Sequence, residues 1–352
     1  MTDWIFETIQ PPCDDTRQKA LAHQLSLTKP PGSLGQLENV AVELCAMQKS
    51  VTPSADAIEI AVFAGDHGIV AEGVSAFPQA VTVEMVKNFV NGGAAISVLA
   101  RHLNAGLTVV NAGTIATEPF AAPVIDKPVG RGTANFLIED AMTQDQLHAA
   151  LNLGRAISDG YHSATRIVIG GEMGIGNTTS ATAIAAAITQ TPVAALTGPG
   201  TGLDAEGVHK KAEIVNRALE RSAFTRVDNP EETLRLLGAV GGFEIAALAG
   251  FFVASAMHAR TIVVDGFIST SAAMIATLLN PGSRDWMLFS HASAEPGHRA
   301  MMEYLSASSL IDLDMRLGEG SGAAVACSLI RSACALHNEM ATFEQASVSN
   351  KE

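Results

Sequence analysis

Two glutamates stand in unusual company in this 352-residue chain. Glu172 lies in Gly170-Gly171-Glu172-Met173-Gly174-Ile175-Gly176-Asn177-Thr178-Thr179-Ser180, and Glu319 in Leu317-Gly318-Glu319-Gly320-Ser321-Gly322. Both strings run into apolar stretches of small residues that read as helices. Glycines let backbone N–H groups crowd one point, and a helix start adds partial positive charge. The glycine turn into the first helix therefore reads as an anion site, most simply for phosphate, with Asn177, Thr178 or Thr179 capping the helix. A carboxylate in such a turn is unfavourable without a partner or a task, so Glu172 points to chemistry beside the anion. Glu319, between bare glycines at a second helix start, suits a general base. The dipole there favours its ionised form and the glycines admit a reactant. Separately, a packing turn and a helix-capping glutamate would explain the two strings. Together they suit transfer at a sugar carbon, where a cationic, oxocarbenium-like transition state gains from carboxylates and a base activates the nucleophile.

Other chemistries fit less well. A Walker loop needs Gly-Lys-Ser/Thr at its end, and a dinucleotide fingerprint needs glycine or alanine where Thr179 stands. There is no Gly-x-Ser-x-Gly elbow for a serine hydrolase. His67, His291 and His298 have no H-x-x-x-H or Cys/His spacing around them, so neither a metal nor a cofactor is expected; Asp66-His67-Gly68 and Ser290-His291 could instead line a crevice. A net charge of -14 argues against nucleic acid or an anionic membrane as partner, and local positive charge must come from residues such as Lys210 and Lys211. A phosphate sensor without catalysis is the competing class, but it leaves Glu172 and Glu319 unexplained.

The elements that must hold these residues repeat one unit, a β-branched run that ends in small and polar residues. The runs begin at Ile58, Leu107, Arg166, Thr261 and Trp286. Alternation with helical stretches predicts an α/β fold, a Rossmann-like parallel sheet flanked by helices, with ligands at the edge where the strands end. An apolar content of 47% with 5% aromatics suits helices packed closely on such a sheet. The mean hydropathy is +0.23, yet the longest apolar run, Ile245 to Met257, is too short for a membrane span, which takes about 20 residues. The N-terminus lacks a signal peptide's basic and apolar regions, so a cytoplasmic protein is expected. Residues 1 to about 50 read as helical, with Pro30 and Pro31 ending one helix and Ser33 capping the next. Cys327 and Cys334, seven apart on an apolar helix, read as buried thiols, and residues after about Glu344 as a loosely held polar tail.

Several strings together resemble a known family. Lys29-Pro30-Pro31-Gly32-Ser33-Leu34-Gly35, Ala64-Gly65-Asp66-His67-Gly68, the Gly171–Thr179 string, Thr197-Gly198-Pro199-Gly200-Thr201-Gly202, Val264-Asp265-Gly266 and Arg316-Leu317-Gly318-Glu319-Gly320-Ser321-Gly322 resemble nicotinate-nucleotide–dimethylbenzimidazole phosphoribosyltransferases. The resemblance runs in order from about residue 29 to about residue 330. It implies that nicotinate mononucleotide gives its phosphoribosyl group to 5,6-dimethylbenzimidazole, forming α-ribazole 5′-phosphate for the cobalamin lower ligand with inversion at the anomeric carbon. It places the general base on Glu319 and the ribosyl region on Glu172. Gly174, Ile175, Gly176, Asn177, Thr178, Thr179 and Gly202 would hold the nucleotide phosphate with Lys211, for which Lys210 is a rival. Ser75, Phe77, Pro78, Gln79, Met85 and Leu317 would surround the base. It further implies a homodimer with a large α/β domain at 53–320 and a small helical domain from 1–52 and 321–352. No metal clamp is required, because the pyridinium leaves without pyrophosphate.

Overall fold

In the computed structural model, which describes residues 2–224 and 227–349, the β-branched runs form a parallel sheet ordered β3-β2-β1-β4-β5-β6-β7. The strands are β1 (Ile58–Gly65), β2 (Gly106–Gly113), β3 (Ile125–Asp126), β4 (Ile167–Met173), β5 (Thr261–Val264), β6 (Met287–His291) and β7 (Ser309–Ile311). The helices are α1 (Asp14–Ser26), α2 (Gln36–Gln48), α3 (Ala80–Val90), α4 (Ala95–Leu103), α5 (Gln144–Asp159), α6 (Asn177–Thr189) and α7 (Val193–Leu196). They continue as α8 (Ala205–Ser222), α9 (Pro230–Val240), α10 (Phe243–Met257), α11 (Phe267–Leu279), α12 (Gly297–Tyr304), α13 (Ser321–Glu339) and α14 (Phe343–Ala346).

Strand side chains alternate between two cores, the signature of a sheet covered on both faces. Ala61, Phe63, Val168, Ile262 and Val264 join the core beneath α5, α6, α10 and α11, while Ile60, Val62, Ile167, Ile169 and Val263 join the one beneath α2, α4 and α13. Apolar burial on both faces is why these strands read as unbroken runs. Edge strands β3 and β7 escape the sequence reading because two or three residues carry too little pattern. No helix among the described residues is long and apolar enough to cross a membrane.

Several boundaries differ from those expected. Strand β4 runs through Met173, so Gly170, Gly171 and Glu172 belong to the strand and only Gly174–Gly176 form the turn. Gly171 is needed there for a close approach: a side-chain carbon would come within 2.2 Å of the Glu319 carbonyl oxygen. Helix α6 is capped by Gly176 in the left-handed region (φ 99°) and not by Asn177, Thr178 or Thr179. Helix α2 is likewise entered through Gly35 rather than Ser33. The capping there falls to Glu38, which accepts from the Leu34 N–H at 2.9 Å and pairs with the buried Lys29 ammonium at 2.8 Å. The tail contains a short helix, α14, closed by a capping box of Thr342 and Gln345, and residues 350–352 lie outside the described residues. Cys327 and Cys334 are buried free thiols, as read. Leu27 and Thr342 join in an antiparallel bridge near the two chain ends.

Candidate active site

Where β4, β5 and β6 end, their loops enclose a cavity of about 380 Å³. It sits at the carboxyl ends of the strands, beside the β1/β4 boundary from which the sheet is wound in both directions, the crevice where such sheets bind ligands. Glu172 and Glu319 both line it.

The two carboxyls meet because the chain ahead of α13 folds flat against β4. Gly318, Glu319 and Gly320 are consecutive residues with positive φ (88°, 64° and 84°), a conformation costly for a glutamate and kept only where surroundings enforce it. At 318 a side-chain carbon would lie 2.3 Å from Glu172 Oε1, so only glycine passes. Glu172 accepts a hydrogen bond from the Asn177 amide. Burial, reinforced by the negative charges of Glu244, Asp265 and Glu319, pushes its carboxyl up to about 8. Its environment thus favours the protonated form more than that of an ordinary glutamate does.

Glu319 differs from the expectation. The α13 N-terminus was to favour its charged form, but those N–H groups are already taken: Asp265, at the end of β5, accepts from Gly320 N at 3.1 Å and Ala323 N at 2.9 Å. Glu319 Oε2 receives only a long contact from Ile96 N, at 3.4 Å. Burial then raises the Glu319 carboxyl above the usual carboxylate range, with Asp265 adding to the effect. Asp265 is itself raised by burial, opposed by His291, whose Nδ1 lies 3.7 Å from Oδ1. Among the histidines, His291 lines the cavity, whereas His67 is buried outside its lining with Nε2 2.6 Å from Glu244 Oε1.

The turn expected to cradle phosphate is partly occupied. Ile175 N–H donates to Thr82 Oγ1 at 3.1 Å, and that hydroxyl donates to Asp66 at 2.7 Å. Asn177 N–H and Thr179 N–H close on the carbonyls of Gly174 and Gly176. Gly174, Ile175, Asn177, Thr178 and Gly202 line the cavity. Gly176 instead packs near Val70 and His67, and the Thr179 hydroxyl is buried without a partner; neither residue lines the cavity. Lys211, 1% exposed, donates to Thr178 Oγ1 at 2.7 Å, and burial lowers its ammonium to about 8. Its rival Lys210 lines a separate surface groove with Asp204 and Glu213. Arg316, which the sequence reading quoted but gave no role, donates to the Gly200 carbonyl at 3.2 Å and borders the same end.

Of the residues expected around the base, Phe77, Met85 and Leu317 line the cavity. Pro78 does not; Ser75 bonds to the Thr201 hydroxyl at 2.9 Å, and Gln79 donates to the His67 carbonyl at 3.0 Å, so both are spent on holding loops. Val81, Ser269, Ser293 and Glu295 are cavity residues the sequence reading missed. Each belongs to a loop or helix of ordinary composition, and only its place above a strand end would have flagged it.

A model of the phosphoribosyltransferase family matches residues 9–348 of this chain. The nicotinate-nucleotide–dimethylbenzimidazole phosphoribosyltransferase of Pseudomonas aeruginosa is 52% identical over 349 residues, covering 99% of this chain and 98% of its own. That of Xanthomonas axonopodis pv. citri is 52% identical over 351 residues, covering 99% of both. Among solved structures, the enzyme of the same name from Thermus thermophilus superposes with a TM-score of 0.89 at 38% identity, covering 96% of this chain and all of its own.

Proposed function

As the chain belongs to the nicotinate-nucleotide–dimethylbenzimidazole phosphoribosyltransferase family, we propose that its cavity moves the phosphoribosyl group of nicotinate mononucleotide onto 5,6-dimethylbenzimidazole. The observation that carries the mechanism is the environment of Glu319: buried, short of hydrogen bonds, raised in proton affinity, and flanked by glycines on the cavity wall. A carboxylate so placed is a stronger base than one in water. It takes the N–H proton of the benzimidazole while the other ring nitrogen attacks the anomeric carbon from the face opposite nicotinate. The carbon–nicotinate bond breaks, and its electron pair neutralises the pyridinium. The product is α-ribazole 5′-phosphate, with inversion at the anomeric carbon.

The other residues divide the remaining work. Lys211 and Thr178 take the 5′-phosphate, and Arg316 adds positive charge at that end. Glu172, with its raised proton affinity, in its protonated form puts no second charge beside the phosphate and donates a hydrogen bond to the ribosyl group. Phe77, Met85 and Leu317 give a flat apolar wall for the azole. The same reading takes the protein as a cytoplasmic homodimer with a large part at 53–320 and a small helical part from 1–52 and 321–352. The contact of α1 with α2 and the Leu27–Thr342 bridge support that small part, while α2 and α13 also pack on the sheet of the large part.

The test is chromatographic. Purified protein is incubated with nicotinate mononucleotide, with and without the azole and with no added metal. Azole-dependent formation of nicotinate and a phosphoribosylated base is expected. Nicotinate release without azole would make the protein a hydrolase, and binding without turnover would make it a sensor.

A further inference from the structure

Glu295 is a cavity residue with no role so far. The residue is only 5% exposed, and Oε2 is buried without any hydrogen-bond partner. A buried carboxylate oxygen in that state costs stability and must be repaid by a donor in the working complex. The backbone that carries Glu295 is fixed. The Glu295 carbonyl accepts from His298 N at 3.0 Å, and His298 Nδ1 accepts from Ser293 N at 3.1 Å. Gly198 makes room for it, since a side-chain carbon there would come within 1.9 Å of Oε2.

Its position restricts the donor. The Gly198 carbonyl receives Lys211 Nζ at 3.4 Å, and the charge of Glu295 acts on that ammonium. Glu295 thus borders the phosphate end, yet a carboxylate cannot accept from phosphate oxygens and repels them. The nearest donors a bound ribosyl phosphate brings are its sugar hydroxyls, for which a carboxylate is a strong acceptor. We propose that Glu295 binds a ribose hydroxyl, at C2′ or C3′, and sets a preference for ribosyl over deoxyribosyl nucleotides. The assignment rests on the cavity being the nucleotide site proposed above.

The test uses the full chain, Glu295→Leu and the isosteric Glu295→Gln, with nicotinate mononucleotide and its 2′-deoxy and 3′-deoxy analogues, at saturating azole. Wild type is expected to prefer the ribosyl substrate over one deoxy analogue by about 10- to 100-fold in kcat/KM, the worth of a charge-assisted hydrogen bond. Glu295→Leu should bring that ratio to within about threefold of unity, with the loss in KM, and Glu295→Gln should lower it severalfold. If Leu fails to fold, the Gln variant decides. Equal losses on all three substrates, or an unchanged ratio, would overturn the assignment and leave Glu295 as a companion of Lys211. Should wild type bind the nucleotide without turnover, the transferase reading fails, and the same ratios, measured as dissociation constants, decide Glu295. Binding of none of the three sinks both.

Discussion

Helices α6 and α13 both begin in glycine-rich turns on the same cavity, and the two N-termini are used in opposite ways. At α6 the turn faces the cavity with a hydroxyl and the Lys211 ammonium beside it, so part of its positive potential remains for a ligand. At α13 a carboxylate of the protein, Asp265, has taken the first N–H groups. Glu319, next to that helix, gains little from it and is left with a raised proton affinity. A helix start is therefore a site for anions or a site for a base according to what is already bonded to it, which the local string does not record.

The comparison can be broken most severely at Glu319. Glu319→Gln should lower kcat by about 10²- to 10⁴-fold with nicotinate mononucleotide binding retained, since only proton removal is lost. A near wild-type rate would remove Glu319 from the mechanism. In the wild type the base must be ionised and its proton affinity is raised, so kcat/KM should climb with pH through a midpoint above the ordinary glutamate value of about 4.3. At the other helix, Lys211→Ala should raise KM for the nucleotide by roughly 10- to 100-fold and leave azole binding nearly unchanged. Equal weakening of both substrates would count against a phosphate role.

Smaller changes sharpen the contrast. Asp265→Asn removes a negative charge that raises Glu319, so the acid limb of the pH profile should move to lower pH. Losing the charge and one of its two hydrogen bonds to the α13 start should also cost about 1 kcal/mol in denaturant unfolding. An unmoved limb would mean that Asp265 carries no charge in the working enzyme. Thr82→Val takes away the hydroxyl that occupies Ile175 N–H, leaving that donor buried. It should cost about 1–2 kcal/mol and raise the nucleotide KM only a few-fold. A lower KM would show that Ile175 N–H had been withheld from phosphate.

The central strands, their order of appearance and the pairing of each key glutamate with glycine were legible, because β-branched runs and glycine act over a few neighbouring residues, whereas the caps of α2 and α6 fell on glycines other than the residues expected. Glu172, Glu319, Thr178 and Lys211 could be named from such strings; the first three line one cavity, and Lys211 stands behind its wall, bonded to Thr178. Legibility failed where a residue's task depends on a partner far away in the chain. Thr82 sits 93 residues from the N–H it occupies, Asp265 58 from an N–H it caps, and Glu295 shows its orphaned oxygen only once Gly198 lies against it. Composition and spacing thus determined an α/β chain with carboxylates placed beside glycine turns. Only the tertiary structure decided which carboxyls have a raised proton affinity and which helix dipole is already spent, because desolvation and hydrogen-bond competition depend on what packs around a group rather than on what precedes it.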